Sequence, residues 1–339
     1  MRVALVTMAL RVPTDPSQWI TVPPQGYAGI HWIVANHMDG LLALGHEVFV
    51  LGAPGTTPAS PSVTVVDAGE IEDMHAWLNG PGASTVDIVH DFSCGQIDPD
   101  RLPAGMAYVS THHLTGRPKY PYNCTYASYA QRTQAGNDSA PVVRISVNEA
   151  RYEFRADKDD YLLYLARISE FKGAYEAAAF AHAAGRRLVV AGPSWEPDYL
   201  ARIERDFGDA IELVGEVGGE RRLDLLAGAT AIMVLSQSTM GPWGVVWCEP
   251  GSTVVSEAAA CGTPIIGTPN GCLAEIVPPV GVVVPEGSSF TPEQARAAVA
   301  ELPSPGQVRA AALERWDHVV VAKQVEALYH EVIAGRTWS

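Results

Sequence analysis

The chain has 339 residues, of which 47% are hydrophobic and 18% charged, and its formal net charge is −15. A polypeptide of this length is typical of two domains of about 150 residues each, and its apolar content is sufficient for two buried cores. The acidic balance argues against nucleic acid and anionic membrane surfaces as partners, because both are bound by clusters of Lys and Arg.

The sequence also indicates where the protein works. Its apolar N-terminus reaches Arg11 and Pro13 too soon for a signal peptide, and no apolar run reaches the roughly 18 residues of a membrane-spanning helix. The cysteines lack the C-x-x-C spacing of zinc sites, and reduced thiols are expected at Cys94, Cys124, Cys248, Cys261 and Cys272. These features predict a cytoplasmic protein without stable membrane insertion and leave its oligomeric state open.

The first half of the chain alternates apolar strands with helical segments. Continuous apolar runs predict strands at residues 2–7, 46–51, 63–66, 87–90, 106–110 and 142–145. Helical segments are predicted at residues 29–45, 70–78 and 127–134, and a proline-rich loop occupies residues 12–28. This alternation predicts a doubly wound α/β domain, in which ligands bind outside the carboxyl ends of the strands.

Three histidines stand at predicted strand ends: His90, His112 and His113. A neutral imidazole in such a position can hydrogen-bond a hydroxyl group or take up charge near a phosphate. The alternative is that each imidazole is satisfied inside its own loop. Residues 116–122 then form a proline-stiffened aromatic and basic loop, which either contacts a substrate or lies at the surface.

Residues 148–160 are polar and charged without apolar periodicity, which is typical of a linker between domains. The alternation then restarts, with strands predicted at residues 161–166, 187–191, 211–214, 231–235, 264–267 and 281–284. Helices are predicted at residues 174–184, 292–300, 306–316 and 319–333. The second half therefore predicts another doubly wound domain.

Two cations, Arg167 and Lys172, follow the first strand of this second domain. Cations at the carboxyl end of a parallel strand are well placed to bind a diphosphate. Taken alone, they could equally be solvated surface charges. A pair of glutamates later in the chain favours the interpretation of these cations as a diphosphate site over that as surface charges.

These glutamates, Glu249 and Glu257, flank a predicted helix start. A Pro-Gly turn follows Glu249, Ser252 or Thr253 can cap the helix, and Gly262 ends it. The free amides of the first turn and the helix dipole would bind an anion between the two carboxylates. Carboxylates beside a phosphate site suit a ligand that also carries hydroxyl groups, such as a nucleotide sugar. The alternative is a capped surface helix with two solvated carboxylates.

Glu249, the seven residues after it, Glu257 and the following Ala-Ala-Ala-Cys-Gly-Thr-Pro resemble the signature of retaining glycosyltransferases of the GT-B fold, family 4 (glycosyltransferases group 1). Segments 45–48, 167–173 and 270–277 are similar to this family as well. The resemblance implies an α/β architecture of two Rossmann-like doubly wound domains facing each other across a cleft. It divides the chain into an acceptor-side domain at 1–155, a nucleotide-sugar domain at 156–318 and a helix at 319–339 that crosses back to the first domain.

The resemblance also implies a nucleoside-diphosphate sugar as donor and roles for single residues. The implied catalytic residues neutralise the diphosphate or hold the donor sugar: Arg167, Lys172, Glu249 and His112. Glu257 would hold the ribose. Further donor-binding candidates are Gly29, Gly192, Glu216, Val217, Gly251, Ser252, Thr253 and Val254. In this family the leaving phosphate is thought to accept the proton of the acceptor hydroxyl, so no enzymic base, metal or other cofactor is expected.

The sequence departs from the family pattern at several positions. Gly251-Ser252 stands where Phe-Gly is usual, and Ala28-Gly29 stands where the family has Gly-Gly. Ala166 replaces a glycine, and His113 replaces an aspartate. These departures concern the shape of the sugar pocket more than the reaction. Gly29 either lets the backbone approach a ligand closely or eases a tight turn.

Two Asp-x-Asp pairs, at residues 98–100 and 157–159, match a pattern with which transferases of another fold hold Mn²⁺ or Mg²⁺. Neither follows a buried strand, so no metal site is predicted. Residues 218–227 and 241–244 further resemble glycosyltransferases of avilamycin (orthosomycin antibiotic) biosynthesis. That resemblance implies an oligosaccharide antibiotic precursor as acceptor and a pentose or deoxysugar as the transferred group.

Two alternatives from other functional classes stay open. One is a GT-B-shaped sugar-nucleotide epimerase or phosphorylase, for which the sequence offers no acid/base carboxylate pair or pyridoxal lysine. The other is a catalytically silent sugar-nucleotide-binding partner protein, which the intact glutamates and cations disfavour. The nucleotide base, UDP, GDP or dTDP, is not determined by the sequence.

Overall fold

The computed structural model describes residues 1–12, 15–26, 28–57, 60–242 and 244–339. The chain forms two compact units, one of Met1–Asn148 with Trp316–Ser339 and one of Glu149–Arg315. No helix in the described part of the chain is long and apolar enough to cross a membrane. All five cysteines are free, as predicted.

The first unit is built on a parallel six-stranded sheet. Its strands and a separate two-stranded hairpin are, in chain order, β1 (Arg2–Val6), β2 (Arg11–Val12), β3 (Asp15–Trp19), β4 (Glu47–Leu51), β5 (Val63–Val66), β6 (Ile88–Asp91), β7 (Tyr108–His112) and β8 (Cys124–Tyr126). The sheet order is β5-β4-β1-β6-β7-β8, and β2 pairs with β3 in the hairpin. The predicted loop at 12–28 therefore contains part of this hairpin, while its residues 13, 14 and 27 lie outside the described residues. This strand order is that of a Rossmann-like sheet.

Helices cover both faces of the sheet. They are α1 (Gly29–Ala43), α2 (Ile71–Asn79), α3 (Pro81–Thr85) and α4 (Tyr129–Ala135). Strands such as Arg2–Val6 are almost continuously apolar because both of their faces are buried. Met74 and Leu78 of α2 pack in the core on one face, and Val34 and Met38 of α1 pack in the core on the other.

The strand predicted at residues 142–145 is wrong. Only Val142 forms a bridge, with Tyr126, and the segment is otherwise irregular. The edge position next to β7 is taken by the short strand Cys124–Tyr126, which the sequence analysis did not predict. Val143 is apolar because it packs against the core instead.

The second unit repeats the architecture. Its strands are β9 (Leu162–Leu165), β10 (Leu188–Ala191), β11 (Ile211–Gly215), β12 (Ala231–Val234), β13 (Ile265–Gly267) and β14 (Gly281–Val283). They form a parallel sheet in the order β11-β10-β9-β12-β13-β14. Its helices are α5 (Ala174–Ala184), α6 (Pro197–Phe207), α7 (Gly219–Gly228), α8 (Thr253–Ala260), α9 (Leu273–Ile276), α10 (Pro292–Ala300) and α11 (Pro305–Trp316). The two Rossmann-like domains predicted from the sequence are thus present.

The last helix, α12 (His318–Ile333), belongs to the first unit. Asp317 caps its N-terminus by accepting hydrogen bonds from the amides of Val319 and Val320. Tyr329 and Val325 of this helix lie in the same core as α1. The chain therefore returns to its first domain after completing the second.

Candidate functional site

The order of the second sheet fixes where a ligand would bind. β9 lies between β10 and β12. After β9 the chain builds the sheet on one side, through β10 and β11, and then crosses to β12 on the other side, and this reversal of strand order opens a crevice at the carboxyl end of β9. The segments that follow β9 and β12 meet there, because the amide of Gln237 donates a 3.0 Å hydrogen bond to the carbonyl of Phe171. Lys172 follows β9 and Ser236 follows β12, so both lie at this crevice.

Lys172 and Glu249 form an ion pair in the crevice. The Nζ atom donates to both carboxylate oxygens, at 2.9 Å to Oε1 and 2.8 Å to Oε2. The Glu249 side chain is 5% exposed and that of Lys172 is 18% exposed. The ammonium group of Lys172 is therefore more accessible to a ligand than the Glu249 carboxylate with which it pairs.

Further donors fix the Glu249 carboxylate. Its Oε2 accepts from Ser236 Oγ at 2.6 Å and from Trp247 Nε1 at 3.2 Å. Its amide donates to Asn270 Oδ1 at 2.7 Å, and Asn270 Nδ2 donates to the carbonyl of Trp247 at 3.2 Å. A buried carboxylate is stable only when its oxygens are hydrogen-bonded, and this set of donors meets that requirement.

Arg167, the other predicted cation, has different neighbours. Its guanidinium carbon lies 4.0 Å from the ring centroid of Trp195 and 5.7 Å from that of Phe171. Its main-chain carbonyl accepts a 2.6 Å hydrogen bond from the Tyr164 hydroxyl, which holds the backbone at the end of β9. The half-buried guanidinium thus rests on aromatic rings rather than on a carboxylate among the described residues.

Glu257 lies inside α8, as predicted, but it is buried. Its side chain is 1% exposed, and its Oε2 accepts a short hydrogen bond from the guanidinium of Arg222 on α7. Burial lowers the pKa of Arg222, but the Glu257 carboxylate and the Tyr152 hydroxyl outweigh this effect and raise it. Burial and the Glu257 carboxylate raise the pKa of Tyr152. Glu257 is therefore part of a buried cluster with Arg222 and Tyr152, and its predicted role toward a ribose stays a prediction.

The N-terminus of α8 carries four of the predicted donor-binding residues. Ser252 occupies the N-cap position, but its side chain makes no capping hydrogen bond in this described segment. Ser252 is buried, whereas Gly251, Thr253 and Val254 are half-buried. The first amides of a helix have no intrahelical acceptor, so this end of α8 can receive an anionic group.

The remaining donor-binding candidates are dispersed over both units. In the second unit, a side chain on Gly192 would collide with the carbonyl of Ala166, so packing alone requires glycine there. Glu216 is exposed and Val217 buried, just after β11. In the first unit, a Cβ atom on Gly29 would meet nothing within 4 Å, so packing inside the protein does not require glycine at the start of α1.

His112 ends β7 in the first unit, as predicted. Its Nε2 lies 3.1 Å from the carbonyl of Gly116, and burial lowers the pKa of the imidazole to about 4, against a small opposing effect of that hydrogen bond. His113, next to it, stacks on Phe92 with ring centroids 5.6 Å apart, and burial lowers its pKa to about 3. Both imidazoles are therefore neutral at pH 7.

His90, another predicted strand-end histidine, belongs to a buried hydrogen-bond chain. Its Nδ1 lies 2.6 Å from the Tyr329 hydroxyl and its Nε2 lies 2.7 Å from Thr111 Oγ1. The Thr125 hydroxyl donates its proton to a main-chain carbonyl, so it can only accept a hydrogen bond from the Thr111 hydroxyl. Thr111 Oγ1 is therefore the acceptor toward His90. A neutral His90 must then donate from Nε2 and accept from Tyr329, which in turn accepts from His37 Nε2 at 2.9 Å. His90 is a structural group of the core.

The Asp-x-Asp pairs have structural partners. Asp98 caps a short 3₁₀ turn by accepting from the amide of Asp100. Asp159 pairs with Arg155 at 2.7 Å. Among the residues that the structure describes, no three His, Cys, Asp or Glu side chains are placed to share a metal ion. The expectation that the protein uses no metal stays a prediction.

Sequence reasoning missed the residues that hold the two glutamates. Arg222 lies within the segment 218–227 that carries a family resemblance, but only the fold shows that it reaches Glu257. Ser236 follows an apolar strand and Asn270 precedes a glycine, and both are positions where a site residue could have been sought. Of the resembling segment 241–244, Trp243 lies outside the described residues.

Comparisons with known proteins give a consistent picture. The family described as "Glycosyl transferases group 1" matches residues 148–304. The crystal structure of AviGT4, a glycosyltransferase involved in avilamycin A biosynthesis, is 55% identical, with 100% of both chains covered and a TM-score of 0.96. No protein with a curated description matches.

More distant structures share the fold. Sucrose-phosphate synthase from Thermosynechococcus elongatus is 16% identical, with 99% of this chain and 100% of that chain covered and a TM-score of 0.73. HepE of Anabaena, in complex with UDP and glucose, is 12% identical, with 98% and 100% covered and a TM-score of 0.67. At these identities the likeness concerns the fold alone.

Proposed function

The chain belongs to the group 1 glycosyltransferases, and from this premise we propose that it transfers a sugar from a nucleoside diphosphate to a hydroxyl group of an oligosaccharide, with retention of the anomeric configuration. The observation that carries the proposal is the buried Lys172–Glu249 pair at the crevice of the second sheet. An ammonium group held in this place, in the same segment after β9 as the half-buried Arg167, suits the two phosphates of such a donor.

The proposed reaction balances without a further reactant. The acceptor oxygen forms a bond to the anomeric carbon on the face from which the diphosphate departs, and the bond from that carbon to the diphosphate oxygen breaks. A phosphate oxygen takes the proton of the acceptor hydroxyl. Negative charge builds on the departing diphosphate, where Arg167, Lys172 and the first amides of α8 would stabilise it without a resident metal ion. Removal of one such group typically costs on the order of 10²–10³ in rate.

Glu249 would serve both the lysine and the donor sugar. Within the described chain its Oε2 accepts from Lys172, Ser236 and Trp247, whereas its Oε1 accepts from Lys172. A carboxylate oxygen offers about two acceptor positions, so Oε1, which accepts one hydrogen bond from the described residues, retains one for a sugar hydroxyl. Glu257 would accept from the ribose, and His112, neutral and at the end of β7, would hydrogen-bond the donor sugar.

The full-length similarity to AviGT4 supports the finer part of the proposal. We infer that the acceptor is a precursor of an oligosaccharide antibiotic of the avilamycin type, and that the transferred group is a pentose or deoxysugar. Transfer to such a precursor, with the anomeric configuration of the product read by NMR, tests both the acceptor and retention. An inverted product would contradict the mechanism, and transfer only to unrelated acceptors would contradict the acceptor.

Calorimetric titration tests the donor site itself. Wild-type protein is titrated with UDP, GDP and dTDP, with and without EDTA, beside Lys172→Ala, Glu257→Ala and the exposed control Lys323→Ala. We expect one nucleotide to bind in the presence of EDTA, binding to weaken strongly in the first two variants, and the control to match the wild type. Absence of nucleotide binding would contradict the proposed function. Binding unchanged in Lys172→Ala and Glu257→Ala would show that the site is misplaced.

A further inference from the structure

Trp195 is a large aromatic side chain at the edge of the donor crevice. It lies in the segment that joins β10 to α6, and 57% of its surface is exposed. Packing of the second unit does not account for it, because an indole stabilises a fold mainly through the apolar area that it buries. Its free surface is therefore available to a ligand.

The position of Trp195 relative to the crevice is well defined. The amide of Ile168 donates a 2.9 Å hydrogen bond to the carbonyl of Pro193, so the segment before Trp195 runs beside the segment that follows β9. The amide of Gly192 donates a 2.9 Å hydrogen bond to the carbonyl of Gly215 at the end of β11. Trp195 thus lies at the carboxyl edge of the sheet, on the β11 side of β9, whereas Glu249 contacts Ser236 on the β12 side.

One face of the indole is already occupied. The guanidinium carbon of Arg167 lies 4.0 Å from its ring centroid, a cation–π geometry. A planar group on the opposite face would stack at about 3.5 Å. It would then lie about 7.5 Å (4.0 plus about 3.5) from the guanidinium carbon of Arg167. The base and Arg167 would then lie on opposite faces of one indole, so the ribose would pass around the edge of the ring to reach a phosphate on Arg167.

We propose that Trp195 is the stacking platform for the base of the donor nucleotide and that it also holds Arg167 toward the diphosphate. This inference rests on the proposed function and adds to it the place of the nucleoside. A diphosphate on Arg167 and Lys172 has its sugar at one end and its nucleoside at the other. Since Glu249 lies on the β12 side, the nucleoside extends toward β11, where Trp195 offers its free face. Stacking selects a flat aromatic group but not one particular base.

The experiment separates the base from the phosphates. Calorimetry measures the affinity of wild type, Trp195→Ala and Trp195→Phe for two probes, the nucleoside diphosphate that wild type binds best and inorganic pyrophosphate. In Trp195→Ala we expect the nucleotide affinity to fall roughly 10- to 100-fold, as for loss of one base–aromatic stack. Pyrophosphate affinity should fall no more than about 5-fold, the effect of an exposed cation–π contact. Trp195→Phe, which keeps an aromatic face, should lie close to wild type.

Controls keep the outcomes distinct. Leu213→Ala removes another exposed apolar side chain of the same unit and should change neither affinity, and thermal unfolding shows whether each variant is folded. If wild type binds no nucleotide, the proposed function itself is wrong. If wild type binds a nucleotide and Trp195→Ala binds it equally well, the platform is wrong and the proposed function stands. Equal losses for nucleotide and pyrophosphate would likewise overturn the platform, because Trp195 would then act only through Arg167.

Discussion

The ammonium group of Lys172 lies 2.9 and 2.8 Å from the two carboxylate oxygens of Glu249, although 77 residues separate them in the chain. The pair joins the segment after β9 to the segment before α8, on either side of the point where the strand order reverses. Because Glu249 is 5% exposed, loss of this partner would leave a buried carboxylate without its cation. One contact therefore serves both the stability of the second domain and the proposed donor site.

Substitution of Lys172 by Met should destabilise the second domain and abolish donor binding together. The Glu249 carboxylate would keep only uncharged donors, and we expect the free energy of unfolding to fall by about 2–3 kcal/mol. The double variant Lys172→Met/Glu249→Gln removes the unpaired charge and should regain much of that stability without regaining activity. Urea unfolding and transfer assays of the two single variants and the double variant measure this coupling. Additive losses of stability would contradict a direct pair.

Arg222 and Glu257 form a second buried pair, and its rupture should be costly. Arg222→Met leaves a carboxylate that is 1% exposed without its cation, so we expect a loss of about 3–5 kcal/mol. Arg187 and Glu212 provide a matched control in the same domain, since their side chains are 56% and 50% exposed. Arg187→Met should cost less than about 1 kcal/mol. The free energy of unfolding is measured in urea. Similar losses for both substitutions would show that burial does not increase the contribution of the Arg222–Glu257 pair to stability.

The sequence predicted the secondary structure best where local signals were strong. The helices predicted at residues 174–184 and 292–300 match Ala174–Ala184 and Pro292–Ala300. The second has a capping box, in which Thr291 and Gln294 satisfy the free amides at its start. The apolar segment 142–145 gave the opposite result, because an apolar run shows that a segment is buried but not that it pairs with a strand.

For the site, the sequence indicated the participants but not their partners. Lys172 and Glu249 were both predicted, each toward a ligand, whereas the structure pairs them with each other. Arg222 had no local signal, because its partner Glu257 is 35 residues away and the two meet only when α7 packs beside α8. Contacts of this kind depend on the topology of the sheet, which a pattern of neighbouring residues does not encode.

Acidification should destabilise the first domain. Burial lowers the pKa of its histidines, to about 4 for His31 and His112, to about 3 for His37 and His113, and well below the usual value for His90. The folded state therefore binds fewer protons than the unfolded chain between about pH 4 and 6.5. Their contribution to stability is complete above pH 6.5 and is lost as the pH falls toward the folded pKa values.

The measurement is the melting temperature from pH 7.5 to 4.5. The slope for one such histidine is about 1.4 kcal/mol per pH unit, and buried Asp91 opposes it, because burial raises its pKa to about 6. His37→Asn should reduce the slope below pH 6.5, whereas His182→Asn, at an exposed position in the second domain, should leave it unchanged. A melting temperature that does not fall between pH 6.5 and 4.5 would contradict the burial of these imidazoles as neutral groups.

Substitution of Gly271 should cost more activity than its left-handed backbone conformation alone would explain. Its φ is +53°, and a Cβ atom there would lie 2.3 Å from the carbonyl oxygen and 2.5 Å from the amide nitrogen of Glu249. Gly185 is the matched control, because its φ is +67° and a Cβ atom would meet nothing within 4 Å. Both alanine variants bear the cost of a left-handed backbone, about 1–2 kcal/mol. Only Gly271→Ala must also displace the backbone that carries Glu249.

We therefore expect Gly185→Ala to lose stability but to keep its transfer rate per folded molecule. Gly271→Ala should lose at least as much stability and, in addition, about 10²-fold in rate, since small displacements of a positioned group are costly for catalysis. Rates are measured at a temperature where both variants remain folded, and nucleotide affinity is measured alongside. Equal rates in the two variants would show that the position of the Glu249 backbone does not limit transfer. A rate that falls while nucleotide affinity holds would place the effect of Glu249 at the sugar end of the donor.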